Sequence, residues 1–281
     1  MINSREPADL NRLAEKLHAL HHAEEMLVIP NAWDAVSAKI FEKSGFPAIA
    51  TTSSGISWSC GYQDAEHIPP ELMLEVIARI ARVVKVPVTA DIEGGYYRND
   101  FQKLSAFIEG VIDAGAVGIN LEDGDAVSGS LNDLEHQLEK IRLVKDICRK
   151  KGVNLFLNAR TDAMVMARGD MKSKIQTCIE RAAAFQSAGA DGIFVPFVKE
   201  MDTVIALKRG IELPLNILIA NTLDVGELRR WKVNRVSIGS RPILSTLHLL
   251  RNISDEMRSG NEWSALLTVS PDYAEANAWF E

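Results

Sequence analysis

Eight apolar runs of strand length, each followed by a helix-length segment, predict an α/β chain folded as a (β/α)8 TIM barrel. Two further features favour a closed barrel over an open doubly wound sheet. The stretch Ala114-Gly115-Ala116-Val117-Gly118-Ile119 is echoed by Ala188-Gly189-Ala190-Asp191-Gly192-Ile193, so that a helix end, a glycine stop and a strand start recur two β/α steps apart. No GxGxxG phosphate turn follows the first strand, where an open dinucleotide-type sheet would carry one. No Pro/Gly/Ser-rich linker interrupts the chain, so residues 1–281 read as one domain, with an N-terminal helix within 1–25 and a C-terminal extension over 261–281.

The elements follow in order. Leu10, Leu13, Leu17 and Leu20 repeat at helical spacing between Pro7 and Ala23, ahead of the first strand at Met26–Pro30. A helix over Ala35–Ser44 stops at Gly45, and a strand at Ala48–Thr52 runs into Ser53-Ser54-Gly55. The small and aromatic residues up to Pro69-Pro70 read as a loop, and Glu71–Val84 as a helix. From there the rhythm is regular. Strands at Pro87–Ile92, Gly118–Leu121, Leu155–Asn158, Gly192–Val195, Leu215–Ile219 and Arg235–Ile238 alternate with helices at Asp100–Ala114, Leu134–Lys151, Lys172–Ala188, Met201–Lys208, Asp224–Lys232 and Pro242–Arg258. The strands are continuous apolar runs, as expected where both faces are buried. The tail carries Trp263 and Trp279 with no role in a barrel, and is expected to pack on a neighbouring subunit.

Composition narrows the function classes. A formal charge of −7 and the lack of a basic stripe argue against nucleic acid or an anionic membrane as partner. No apolar run approaches the roughly 20 residues of a membrane span. Met1–Leu20 is polar, without an apolar signal core, which reads as cytoplasmic. Cys60, Cys148 and Cys178 are far apart and show no CxxC spacing, so neither a zinc site nor a disulfide framework is indicated. His18, His21 and His22 read as surface residues.

In a barrel all strand carboxyl ends meet at one face. Polar residues collect there: Thr52, Ser53, Ser54 and Gly55 after the second strand, Asp91 and Glu93 after the third, Glu122 and Asp123 after the fourth, Arg160 and Asp162 after the fifth, and Asn221 after the seventh. Asp64 lies in the loop after the second strand. The central stretch is Asp91-Ile92-Glu93-Gly94-Gly95, where a strand ends in two carboxylates and then two glycines. Acids converging on one spot repel each other unless a cation joins them. Oxygen donors without His or Cys at the strand ends select Mg²⁺, or Mn²⁺. Arg160 is either a counter-ion to these acids or a fork for a substrate carboxylate, the latter preferred. Asn221 is either a helix cap or a ligand. Asp64 is by default a solvated loop acid, and a general base only by position.

Taken together, Thr51-Thr52-Ser53-Ser54-Gly55, Gly61-Tyr62-Gln63-Asp64, Asp91-Ile92-Glu93-Gly94-Gly95-Tyr96, Asn120-Leu121-Glu122-Asp123 and Asn158-Ala159-Arg160-Thr161-Asp162 resemble the isocitrate lyase/phosphoenolpyruvate mutase superfamily, in order and over nearly the whole chain. The resemblance implies Mg²⁺, a small 2-oxo acid or related carboxylate as substrate, and a homo-oligomer, often a dimer of dimers with the last helix swapped between paired subunits. It implies that Ser53, Ser54 and Gly55 belong to the segment cradling the substrate carboxylate. It makes Asp64 the acid of the substrate loop, Asp91, Glu93 and Glu122 the metal shell, with Asp91 the usual direct ligand, and Arg160 the substrate arginine. The departures lie after Glu122-Asp123. Lyases of this superfamily carry a Lys-Lys-Cys-Gly-His gating loop there, and the phosphonopyruvate mutases and hydrolases a Lys and an Asn. Here Gly124-Asp125-Ala126-Val127-Ser128-Gly129-Ser130-Leu131 holds none of these. Tyr97 also stands where a glycine is frequent.

A metal, a carboxylate cradle and an arginine suffice to stabilise an enolate. The expected function is a Mg²⁺-dependent C–C lyase or decarboxylase acting on an oxaloacetate- or alkylmalate-like acid. The alternatives are a phosphonomutase or phosphonate hydrolase acting on a P–C bond, and a low-turnover barrel that binds 2-oxo acids.

Overall fold

The computed structural model describes residues 6–125, 128–260, 263–267 and 271–280. It divides into two compact units, Met1–Gly239 and Ser240–Glu281. In the first, nine strand segments form one parallel sheet: β1 (Leu27–Ile29), β2 (Asn31–Ala32), β3 (Ile49–Thr51), β4 (Val88–Asp91), β5 (Gly118–Glu122), β6 (Phe156–Arg160), β7 (Gly192–Val195), β8 (Leu215–Leu218) and β9 (Arg235–Ser237). Their order is β1-β9-β8-β7-β6-β5-β4-β3-β2. The two outermost segments are separated in the chain only by Pro30, which has no N–H to continue a ladder. Leu27 pairs with Arg235 on one side, and Asn31 with Ala50 on the other. The first strand is thus broken at Pro30, its halves close the sheet, and eight strand positions make the predicted (β/α)8 barrel.

The strands are buried on both faces, as their unbroken apolar runs require. The surrounding helices bury one stripe each. Pro70–Val83 buries Met73, Val76, Ile77 and Ile80, and Leu134–Lys151 buries Leu138, Ile141, Val144 and Ile147. Asp34, Asp100, Asp133, Asp170 and Asp224 cap helix starts by accepting the backbone N–H three residues on. Gly152 and Gly189 end the two longest barrel helices at φ 68° and 108°, a region closed to most side chains.

Helix Pro7–His22 lies at the strand amino ends. A Cβ on Gly118, at the start of β5, would come within 2.6 Å of Leu17 Cδ2, so the glycine admits the helix. His21 is buried there, not on the surface as its polarity suggests. It falls on the inward stripe Leu10, Ala14, Leu17, His21.

Other differences from the expected elements cluster at the opposite end. The loop after β3 begins with a helix, Ser53–Ser59, capped by Thr52 Oγ1. Its serines and glycine mask the helical pattern. Gly124–Asp125 and Ser130–Leu131 pair as a short antiparallel ribbon, so the segment that departs from the lyases is folded back on itself. Ala126 and Val127 within it lie outside the described residues.

In the second unit, helix Arg241–Ser259 ends at Gly260 (φ 72°), and Glu256 holds the next turn through Ser264 Oγ (2.9 Å) and the Ala265 N–H (2.8 Å). Leu244, Leu247 and Leu250 are exposed along that helix, as is Trp263 beyond it. The predicted tail, 261–281, is described only at 263–267 and 271–280. Among the described residues no helix is long and apolar enough to cross a membrane.

Candidate metal and carboxylate site

The carboxyl end of β4 sets the site. Asp91 is its last residue, and Asp91 Oδ2 accepts from the Ser53 backbone N–H (3.3 Å) and Oγ–H (2.9 Å). The Asp91 N–H donates to Thr51 Oγ1 at 2.8 Å. Thr51 thereby fixes the backbone of Asp91, and Ser53 its carboxylate. The other oxygen, Asp91 Oδ1, is buried without a partner. An unpaired buried anionic oxygen is costly and marks a position meant for a ligand.

Glu93 follows at φ 54°, in the left-handed region that non-glycine residues rarely enter. Its carboxylate accepts the Glu66 N–H (2.9 Å) and, more weakly, the Tyr96 hydroxyl (3.3 Å). Burial, and then the negative charges of Asp91, Asp64 and Glu66, push its carboxyl up to about 8. Glu122 ends β5, directly across from Arg160 at the end of β6. Burial holds its carboxyl well above the usual range, even though Arg160 Nη1 lies only 2.7 Å from its Oε2. Arg160 also grips Asp162 through Nε (2.8 Å) and Nη2 (3.1 Å). One guanidinium thus serves two carboxylates, and among the described residues Asp91 and Glu93 have no cation of their own.

The remaining expected residues are placed less uniformly. Ser54 Oγ lies 3.0 Å from Thr52 Oγ1, and the Gly55 N–H points to the same hydroxyl at 3.4 Å, so both sit in the first turn of helix Ser53–Ser59. Asp64 is exposed on the rim, yet its carboxyl end is partly desolvated and, with the Asp91 charge added, held above its ordinary range. Asn221 is exposed in the turn after β8, and Asp224, not Asn221, caps the next helix. Asn221 makes no side-chain hydrogen bond among the described residues and is not joined to the cluster. Asp123 is a structural acid. It is fully buried, receives Arg181 Nε at 2.5 Å and accepts the Asp162 N–H at 2.9 Å.

Several contributors escaped the sequence reading. Glu66 Oε1 accepts the Tyr96 N–H at 2.7 Å, strapping the Asp64 loop to the Glu93 loop. A Cβ on Gly94 would lie 3.1 Å from that oxygen, so the glycine allows the two loops to close. Lys140 is buried and donates to Gly94 O at 2.9 Å. Its signal was its position on the apolar stripe of Leu134–Lys151, one turn before Val144. Arg98 pairs with Asp125 on the ribbon. Ala65, Glu66, Glu93, Arg98, Glu122 and Lys140 line a small cleft of about 30 Å³. A larger groove between Asp9, Arg12, Lys16 and Lys85 lies near the strand amino ends, the face where a barrel keeps stability and not chemistry.

Could these residues hold Mg²⁺? Among the described residues no three carboxylates, histidines or cysteines converge as a closed cage. Mg²⁺ rarely needs one, because it keeps several waters and takes one or two carboxylates. The unpartnered Asp91 Oδ1, with Glu93 and the Arg160-paired Glu122 nearby, fits that pattern of one direct ligand and water-bridged acids.

The profile of the phosphoenolpyruvate phosphomutase family matches residues 17–258. An uncharacterized protein of Mycobacterium tuberculosis is 34% identical over 262 residues, covering 93% of this chain and 94% of its own length. The 2,3-dimethylmalate lyase of Eubacterium barkeri is 30% identical over 199 residues (65% of this chain, 62% of that protein), and the oxaloacetate decarboxylase of Rhodopseudomonas palustris 27% over 247 (84% and 82%). Among solved structures, a candidate lyase/mutase from Burkholderia cenocepacia J2315 superposes with a TM-score of 0.87 at 29% identity, covering 97% of both chains. A candidate phosphonomutase from the same organism gives 0.82 at 32%, over 90% of this chain and 100% of that one. Fold, strand-end acids and profile agree: the chain belongs to the phosphoenolpyruvate phosphomutase family, within the isocitrate lyase/phosphoenolpyruvate mutase superfamily.

Proposed function

We propose that this protein is a Mg²⁺-dependent carbon–carbon lyase or decarboxylase acting on an oxaloacetate- or alkylmalate-like acid. The observation that carries the reading is Asp91, whose one oxygen is held by Ser53 and whose other is buried and unpartnered among under-neutralised acids. Asp91 would be the direct ligand, with Glu93 and Glu122 bonding its waters. When bound, the ion supplies a Lewis acid that lowers the energy of an enolate-like anion.

The chain's own groups do the rest. Ser53 and Thr51 orient Asp91. Arg160, held flat by Asp162 and Glu122, keeps positive charge at the mouth for a substrate carboxylate. Asp64, on the rim with a raised carboxyl, is the group placed to exchange a proton with substrate. The ribbon Gly124–Asp125/Ser130–Leu131 offers no cysteine or lysine as acid. That suits a decarboxylation, which needs no protein nucleophile.

A P–C bond reaction is the second reading. The family profile and the 32% identity to a candidate phosphonomutase favour it. So does Arg98, which brings a cation to the ribbon, although Asp125 engages it. Exposed Leu244, Leu247, Leu250 and Trp263 support a homo-oligomer, the dimer of dimers with an exchanged last helix being the arrangement we propose.

The test is incubation with Mg²⁺ and oxaloacetate, 2-methylmalate, 2,3-dimethylmalate, methylisocitrate or phosphonopyruvate, following 2-oxo acid and phosphate. Release of 2-oxo acid without phosphate is the expected result. Phosphate or phosphoenolpyruvate would establish the second reading. Silence on every acid, with oxalate stabilising the metal-loaded protein, would leave a binding barrel.

A further inference from the structure

Phe197 carries two costs at once. Its backbone sits at φ 63°, a left-handed conformation that is an outlier for a bulky residue. Its ring is also 46% exposed, two residues beyond β7 at the catalytic end of the barrel. Strain and an exposed aromatic at one position persist where the side chain serves something the folded chain alone does not satisfy.

What Phe197 faces is specific. Its ring centroid lies 5.8 Å from Arg160 Cζ. Phe194, the β7 residue in register with Arg160, is buried and lies at 5.7 Å from the same carbon. The edge of the guanidinium is taken by Glu122 and Asp162, at 2.7, 2.8 and 3.1 Å. A substrate whose carboxylate is held by the guanidinium would bring its neighbouring carbon against the Phe197 ring. An alkyl group would meet a hydrophobic surface it can cover. Val165, 51% exposed on the helix following β6, adds to the apolar character of the mouth.

Resting on the reading of the site given above, we propose that Phe197 is a specificity-determining residue. Its ring receives an alkyl substituent at the variable end of the substrate. A buried methyl group is worth about 0.8 kcal/mol, roughly fourfold in an equilibrium or rate ratio.

The decisive variant is Phe197→Gly, because glycine adopts φ 63° without strain and keeps the backbone as it is. The quantity to read is the ratio of kcat/KM for 2,3-dimethylmalate over unsubstituted malate. The parallel ratio of Kd values, from calorimetry with Mg²⁺, keeps the proposal testable even without turnover. Wild type should prefer the dimethyl acid by about four- to tenfold in both ratios, and F197G should bring them close to one. Thermal stability should hold or rise, since the strain is removed, whereas a residue that only packs the fold would lower it. Unchanged ratios in F197G would overturn the proposal. So would a wild-type preference for the unsubstituted acid, or an altered oligomeric state in F197G, which would assign the ring to a subunit contact. Absent turnover with intact binding ratios would sink the proposed reaction and leave the role of Phe197 standing.

Discussion

At the strand carboxyl ends, Arg160 is taken up by Glu122 and Asp162, while Asp91 and Glu93 have no cation paired to them among the described residues. At the amino ends the sign is reversed. Arg235 is fully buried beside His21, with Nε and Nη2 unpartnered, and burial pushes its guanidinium down to about 10. His21 stacks on Phe156 with centroids 3.8 Å apart, donates through Nδ1–H to Leu17 O at 2.7 Å, and is held well below its ordinary value by burial and by Arg235. Helix Pro7–His22 covers this floor, where Arg235 Nη1 meets His21 Nε2 at 3.4 Å and its other two nitrogens stay buried without a partner. At the mouth the unmet atom is instead a carboxylate oxygen, Asp91 Oδ1, which we propose faces a bound cation. Between the two, Asp123 and Arg181 form a one-to-one buried pair that asks for nothing further.

The largest effect should come from that balanced pair. Arg181→Met strands a fully buried Asp123 carboxylate, and should cost about 3–5 kcal/mol in chemical denaturation. Loss of activity should follow unfolding and be restored under stabilising conditions. A fold unharmed by R181M would show that Asp123 is neutralised in another way.

The next effects separate mouth from floor by pH, measured on metal-free protein. Glu93 has a folded value near 8, above its unfolded 4.5, so the fold favours its protonated form and stability is lost as pH rises from about 5 to 8. Glu93→Gln should remove that loss, gaining at least ~1 kcal/mol at pH 8. His21 shifts the other way. The unfolded chain takes up a proton near pH 6.5 that the folded one refuses, so stability falls as pH drops below 6.5. His21→Gln should flatten this acidic arm by up to ~1 kcal/mol per pH unit, with His18, shifted in the same direction, leaving a residue of it. If E93Q altered the slope below about pH 4.5, or H21Q the slope above about pH 7.5, the division between the two ends would fail.

These contrasts were unevenly legible in the chain. The strands declared themselves because both faces are buried, and Asp91, Glu93, Glu122 and Arg160 because each stands at the end of such a run. Helix Ser53–Ser59 did not, since serines and glycine favour caps and turns over a periodic apolar stripe. Glu66 and Phe197 were illegible for another reason. Their roles depend on backbone at φ 60° and 63°, which no side-chain pattern encodes. Lys140 and His21 could have been found, because each interrupts a helix stripe that is otherwise buried.

The central claim is that the mouth is built around Asp91 to hold a divalent cation. Electron paramagnetic resonance of added Mn²⁺, with oxalate present, tests it most directly on wild type and Asp91→Asn. One ion bound per chain in wild type, and at least about a hundredfold weaker binding in D91N with the fold intact, is the expected result. Wild-type protein that leaves Mn²⁺ free, or D91N that binds it equally well, would contradict it.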